Sequence, residues 1–405
     1  MGPAPMVTLR TTRHARRRGN GGSAALAAAL ACAGAFLPAP PARAAEPITA
    51  ADQSYFAYYH LDQARAKGYT GKGVSIAMID GKVDTGVPEL AGAQVASESP
   101  CTINSSPAVT SHGTGVASIL VAQGYGVAPE ASLHAYQVTL DMNGDTSESD
   151  CKDRTGSLRD DLPWLLNAAM NDGAQIINLS ASSESGTKDL KWAVARSMAQ
   201  GVIITAAAGN GAQDDDDTSL SKWSGVVGVS AIGVDSARQD YSSWGQGVTA
   251  AAVGGPVLTR NIATGQTETA YGTSVSAPVV AGVLALARQK WPNATSNQLL
   301  QLLVTTGLNP DHGWNQYTGY GGIDPGAILN TDPTQLPDEN PLADKGGGSS
   351  PTPAEVRQYA DGLVSPTEIV NDNSYTYRGL DETALKNPAN GYPTHIGTSP
   401  SYHAK

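Results

Sequence analysis

Cysteine, phenylalanine and charge are all scarce in this chain of 405 residues, which has three cysteines, two phenylalanines and 16% charged residues. So few thiols, without histidines at ligand spacing, exclude both a disulfide-built scaffold and a zinc module. Basic residues are the minority: Lys and Arg number 26 against 37 Asp and Glu. Such a balance is a poor partner for nucleic acid or anionic lipid. Long apolar runs are missing as well, so no membrane anchor is expected. No internal repeat is visible.

What is present begins with a leader. Arg10, Arg13, Arg16, Arg17 and Arg18 precede an uncharged apolar stretch over residues 24–37, and Ala42-Arg43-Ala44 follows it. This is the layout of a signal peptide over residues 1–44, cleaved near Ala44 on the general secretory route. Its loss removes six arginines and no acid, which deepens the net charge from −11 to −17. Cys32 leaves with it, and Cys101 and Cys151 remain. In an oxidising compartment that pair reads as one disulfide, worth roughly 4 kcal/mol for a loop of that length. Two unpaired thiols are the alternative.

The order of apolar runs points to an α/β fold. Strand candidates at 74–79, 132–138, 174–179, 202–206 and 226–231 alternate with helical patterns near 113–123, 158–171 and 187–199. That alternation builds a three-layer α/β/α domain around a mostly parallel sheet. The domain is expected over 45–336, followed by a flexible linker at 337–353 containing Lys345-Gly-Gly-Gly-Ser-Ser-Pro-Thr-Pro353. Residues 354–405 hold several tyrosines but few aliphatics; they are either disordered or lie along the domain. The segment 45–69, with Tyr55, Phe56, Tyr58 and Tyr59, is expected to pack on the domain as a leading helix, with no long propeptide before it.

Four short stretches carry chemistry. Gly272-Thr-Ser-Val-Ser-Ala-Pro278 puts Ser274 where a polar loop enters an apolar helix, so backbone N–H groups and the positive dipole end face its hydroxyl. By itself this is a helix cap. Asp80 closes the first strand at its carboxyl end, where open parallel sheets bind ligands. His112, in Ser111-His-Gly-Thr-Gly-Val-Ala117, stands at the start of a helix. Asn210 ends the run Val202-Ile-Ile-Thr-Ala-Ala-Ala-Gly-Asn210 and can donate hydrogen bonds from its amide, although Asn beside Gly is more often a turn residue. Together Asp80, His112 and Ser274 supply an orienting carboxylate, a general base and a nucleophile for acyl transfer.

In these stretches the chain resembles the subtilisin-like serine peptidases over about residues 55–330. The matching residues are Ile79-Asp80, His112-Gly113-Thr114, Ala208-Gly209-Asn210 and Gly272-Thr273-Ser274 with Pro278, in the family order Asp, His, Asn, Ser. The resemblance implies a secreted serine endopeptidase with Asn210 in the oxyanion hole, acting as a monomer on peptides. Substrate would pair in extended form with Ser180, Ala181 and Ser182 on one side and Ala207, Ala208 and Gly209 on the other. No cofactor is required, but calcium is possible as a structural ion.

The chain also departs from the family. Gly81-Lys82 stands where Ser or Thr and then Gly are usual, Gly115 replaces a second histidine, and Ser182-Ser183 replaces a Gly-Gly pair. These departures bear on substrate preference. The aspartates 214–217 read as a basic-residue selector, a calcium ligand set or a solvated loop. A peptide ligase or cyclase using the same acyl-enzyme, a dedicated processing protease, and an inactive peptide-binding relative are the alternatives in function. Mycosins share the short N-terminal extension and a disulfide-bearing domain, but end in a membrane-spanning helix.

Overall fold

A computed structural model describes residues 47–380 except 100–102, 143–144, 147, 150, 152–158, 182–186, 215–218, 311–312 and 347–348, together with the backbone of 7–9 and 395–396. The expected signal peptide and its cleavage site therefore lie outside the described residues, apart from Val7–Leu9, which pairs antiparallel with Leu140–Met142.

Seven strands form the central sheet: β1 (Ser75–Asp80), β2 (Val95–Ser97), β3 (Ser132–Gln137), β4 (Ile176–Leu179), β5 (Ile203–Ala207), β6 (Val226–Ile232) and β7 (Val248–Val253). Their order is β7-β6-β5-β4-β1-β3-β2, and every pairing is parallel. The strands alternate between two cores. Along β1, Ile76 and Met78 face one cluster and Ala77 and Ile79 the other; Ile203 and Ile204 divide in the same way on β5. β1, β4, β5, β6 and β7 are thus buried on both faces, which is why most of them read as continuous apolar runs, whereas edge strand β2 is partly exposed.

Helices α1 (Pro107–Val121), α4 (Thr273–Lys290) and α5 (Ser296–Thr305) cover one face, while α2 (Leu162–Asn171) and α3 (Lys188–Gln200) cover the other. The predicted three-layer α/β/α class is therefore the observed one. Because β1 has β4 on one side and β3 on the other, the chain reverses its direction of travel across the sheet there, and the carboxyl ends of β1 and β4 open into a crevice.

The helix carrying His112 starts earlier than the sequence suggests. Ser106 caps it by accepting from Val109 N–H at 3.2 Å, and Pro107 occupies its first turn, so His112 sits in the second turn. The close approach of α1 to the end of β1 requires glycine on both sides. A Cβ at Gly81 would lie 2.4 Å from Val109 O, and one at Gly113 would lie 2.5 Å from Gly81 O. Gly81, a departure from the family pattern, is thus part of the contact that brings the helix over the strand end. Lys82 beside it is exposed.

Both ends of the continuous described segment are docked. Tyr55 is buried and donates to Tyr125 O at 3.2 Å, and Tyr59 accepts from Val253 N–H at 2.9 Å. Towards the C terminus, the expected flexible linker is pinned instead. Lys345 Nζ donates to the carbonyls of Ser221, Val226 and Gly247 at 2.8, 2.8 and 2.6 Å, and Ser350 is buried against Ser224. Of the two possibilities for the tail, residues 353–377 take the second and lie along the domain. Helix α6 (Pro353–Ala360) packs on α3, and Tyr359, Val364, Ile369, Tyr375 and Tyr377 form a small core with Trp192 and Ala195. Among the described residues, no helix is long and apolar enough to cross a membrane.

Candidate active site

Asp80 is the last residue of β1 and fully buried. Its Oδ1 accepts the N–H of Gly81 at 2.7 Å and lies 2.7 Å from His112 Nδ1. A carboxylate at that distance favours the tautomer with hydrogen on Nδ1, which leaves Nε2 as the basic nitrogen. Nε2 is buried and has no partner within the chain among the described residues, and the same is true of Asp80 Oδ2. Burial pushes the His112 pKa down, but the charge and hydrogen bond of Asp80 together outweigh it, so the net shift is upward. The result is a base whose protonated form is stabilised on one side and whose other side is open to a proton donor.

Ser274 is the second residue of α4, with 9% of its surface exposed. Gly272 before it has φ of +149°, and a Cβ there would lie 3.0 Å from Asn210 Nδ2 and 3.1 Å from Ser274 Oγ. Only glycine lets the loop turn into the helix without filling the space between amide and hydroxyl. Ser274 and His112 line one cavity of about 550 Å3.

The amide is oriented by a residue that the sequence reading did not single out. Thr273 donates to Asn210 Oδ1 from its backbone N–H at 2.9 Å and from its hydroxyl at 3.0 Å, while its Oγ1 accepts Gly209 N–H at 3.1 Å. With the oxygen end held, the Nδ2 end of the amide is the one turned towards the Ser274 side of the loop. Ser243 braces the loop further, since its N–H donates to Gly209 O and its Oγ accepts Gly211 N–H. The available signal for Thr273 was its position between the required glycine and the serine.

The other expected site residues separate into described and undescribed ones. Ser180 and Ala181 follow β4 and are buried, and Ala207 and Ala208 at the end of neighbouring β5 are buried too, with Gly209 after them at φ +105°. Ser182, Cys101 and aspartates 215–217 lie outside the described residues. Asp214 is described and bridges to Trp244. Among the described residues, no group of three or more His, Cys, Asp or Glu is arranged to hold a metal ion.

One wall of the cleft was not anticipated. Strands β8 (Val257–Arg260) and β9 (Thr267–Ala270) form an antiparallel hairpin that leans on α1. Gly115 is where it touches: a Cβ there would lie 3.1 Å from Thr259 Cγ2. Ser111 Oγ accepts Ile262 N–H at 2.9 Å, and Arg260 is buried in an ion pair with Glu89. The absence of a second histidine thus coincides with a hairpin seated against the helix. Thr259, Asn261, Glu268 and Tyr271 join His112 and Ser274 in lining the cavity.

The geometry has counterparts in known proteins. A family model described as the subtilase family matches residues 71–321. Subtilisin E from Bacillus subtilis (strain 168) is 31% identical over 265 residues, a match covering 61% of this chain and 65% of that protein. The chain therefore spans less than two-thirds of the length of such relatives. Among solved structures, MycP1 from the ESX-1 type VII secretion system is similar with a TM-score of 0.57 at 23% identity, covering 73% of this chain and 90% of that one. The PatG macrocyclase domain is similar with a TM-score of 0.55 at 19% identity, covering 67% and 95%. At those identities the structural likeness speaks for the fold.

Proposed function

We propose that this chain, which belongs to the subtilase family, is a secreted serine endopeptidase that works through Asp80, His112 and Ser274. The observation that carries the reading is the 2.7 Å contact between Asp80 Oδ1 and His112 Nδ1, made where His112 shares a cleft with Ser274. His112 Nε2 takes the proton of Ser274 Oγ as that oxygen attacks the scissile carbonyl. Asp80 holds the tautomer and stabilises the imidazolium. Asn210 Nδ2 and the Ser274 backbone N–H receive the developing oxyanion, and Thr273 supplies the preorganisation by fixing the far end of the amide. His112 then protonates the leaving amine, and water repeats the cycle on the acyl-enzyme.

In this reading, the acyl half of the peptide lies extended between Ser180–Ser182 and Ala207–Gly209, where main-chain pairing gives affinity with little side-chain demand. The disulfide between Cys101 and Cys151, expected of an exported protein, belongs to the same proposal; Cys151 is buried, and Cys101 lies outside the described residues. A fluorophosphonate probe tests the assignment. Labelling at Ser274, lost in Ser274→Ala together with peptide cleavage, is the expected result; an unlabelled Ser274 in folded protein refutes it.

A second reading keeps the same acyl-enzyme and replaces water with an amine. The fold it shares with a macrocyclase domain is the observation in its favour. Product masses separate hydrolysis, which adds water, from ligation or cyclisation, which does not. An inactive peptide-binding relative is less well supported, because acid, base, nucleophile and oxyanion donor are all present.

A further inference from the structure

The two sides of the cleft differ in construction. Ser180, Ala181, Ala207 and Ala208 at the ends of β4 and β5 are small and buried, whereas the cavity that His112 and Ser274 line runs between α1 and the β8–β9 hairpin. If the acyl half of a substrate lies over the strand ends, the departing half must enter this second part. Its lining has a definite chemistry. Ala108, Val116, Ile119 and Val275 make an apolar floor, and Glu268 and Asn261 stand on the hairpin side.

Glu268 is exposed on β9, and Asn261 Nδ2 donates to its Oε2 at 2.8 Å, which steadies the carboxylate beside the cavity. Among the described residues, no lysine or arginine lines the cavity. Arg260, the hairpin's own cation, is turned inward to Glu89 and to Gly265 O. The same contacts make the wall firm: besides Arg260, Gln53 Nε2 donates to Leu258 O at 2.9 Å and Ser111 Oγ accepts Ile262 N–H at 2.9 Å. A preorganised wall keeps its charge in place without a further ordering cost.

We propose that this α1–hairpin cavity is the leaving-group subsite and that Glu268 makes it select lysine or arginine at the first or second residue after the scissile bond. The inference rests on the peptidase reading above. A long basic side chain suits the site in both its parts. Its methylenes lie on the apolar floor, and its cationic head reaches the carboxylate at the rim. An acidic residue in the same place meets Glu268 with like charge, and no cation among the described lining residues offsets it.

The test uses three quenched fluorescent peptides that are identical before the scissile bond and carry Lys, Ala or Glu at both of the next two positions. The wild-type protein is expected to rank them Lys, Ala, Glu in kcat/KM, with about tenfold between the extremes at low salt and less at high salt. Glu268→Lys is expected to invert the ranking, and Glu268→Gln to flatten it to within about twofold. Because Glu268 is exposed, both variants should keep the wild-type melting temperature, and the Ala peptide serves as reference within each protein. Equal cleavage of all three peptides, or an unchanged ranking in Glu268→Lys, overturns the subsite proposal and leaves the peptidase reading standing. If no peptide is cleaved and Ser274 resists a fluorophosphonate, both fall.

Discussion

Two buried acid–base contacts in this molecule are built on opposite principles. Arg196 and Asp372 meet at 3.2 Å in the layer between α3 and the C-terminal segment, and their hydrogen-bonding capacity is heavily used. Arg196 donates to Gln200, Asn167 and Asn171 as well, while Asp372 also accepts from Ser374, from Tyr375 N–H and from Tyr359. Asp80 is as buried as Asp372 and the His112 side chain is 9% exposed, yet Oδ2 of the acid and Nε2 of the base have no partner in the chain among the described residues. A contact that only holds structure together can use up its valences. One that must pass a proton has to keep some in reserve.

The sharpest way to break the comparison is to remove reactivity at one site and stability at the other. Ser274→Ala should lower kcat/KM by about 10^4-fold or more, with the urea midpoint close to wild type. Arg196→Leu should do the reverse: it strands Asp372 in the interior and costs about 3–5 kcal/mol in urea unfolding, while the folded fraction still cleaves peptide. If Arg196→Leu abolished turnover in fully folded protein, the division of labour would be wrong. Asn210→Ala should reduce kcat by about 10^2–10^3-fold with little change in KM, the size found for one such donor in another member of this family. Lys345→Met should cost about 1–3 kcal/mol, because it leaves three converging carbonyls without their donor.

The smallest effect is in pH. Since the His112 pKa is raised in the folded state, its contribution to stability is complete below the ordinary histidine value of 6.5 and is lost as pH rises through the raised one. Activity needs the neutral imidazole, so kcat/KM should climb over the same window in which that stabilisation fades. An apparent pKa for kcat/KM below 6.5 would contradict the Asp80 contact. His112→Gln should remove the matching slope from the urea midpoints.

Much of this was readable beforehand, for a physical reason. Four central strands, β1, β4, β5 and β6, are buried on both faces, so they appear as nearly uninterrupted apolar runs, and Asp80, Asn210 and Ser274 sit where such a run ends or a helix begins, whereas His112 lies in the second turn of α1. What escaped notice lacks that contrast. β7 is Val-Thr-Ala-Ala-Ala-Val, with a helix-forming alanine centre, and β2 is short and partly exposed. Strand β9 is mostly exposed and reads Thr-Glu-Thr-Ala, a polar loop by composition. The helix start at Pro107 is masked by β-branched residues and by Gly113 and Gly115, which belong to α1 because its backbone presses against the end of β1 on one side and against the hairpin on the other. The C-terminal layer buries tyrosines and an ion pair alongside only Val364 and Ile369, so hydrophobicity alone underestimates its order.

Lys345 has one more implication. Its ammonium serves the carbonyls of Ser221, Val226 and Gly247 as a dissolved ion could, but it is tethered to the polypeptide. Neither dilution nor a chelator can strip it away. A single nick between Leu336 and Lys345 would turn that permanent guest into a ligand of finite affinity, and everything docked after it would then depend on how tightly the freed piece rebinds.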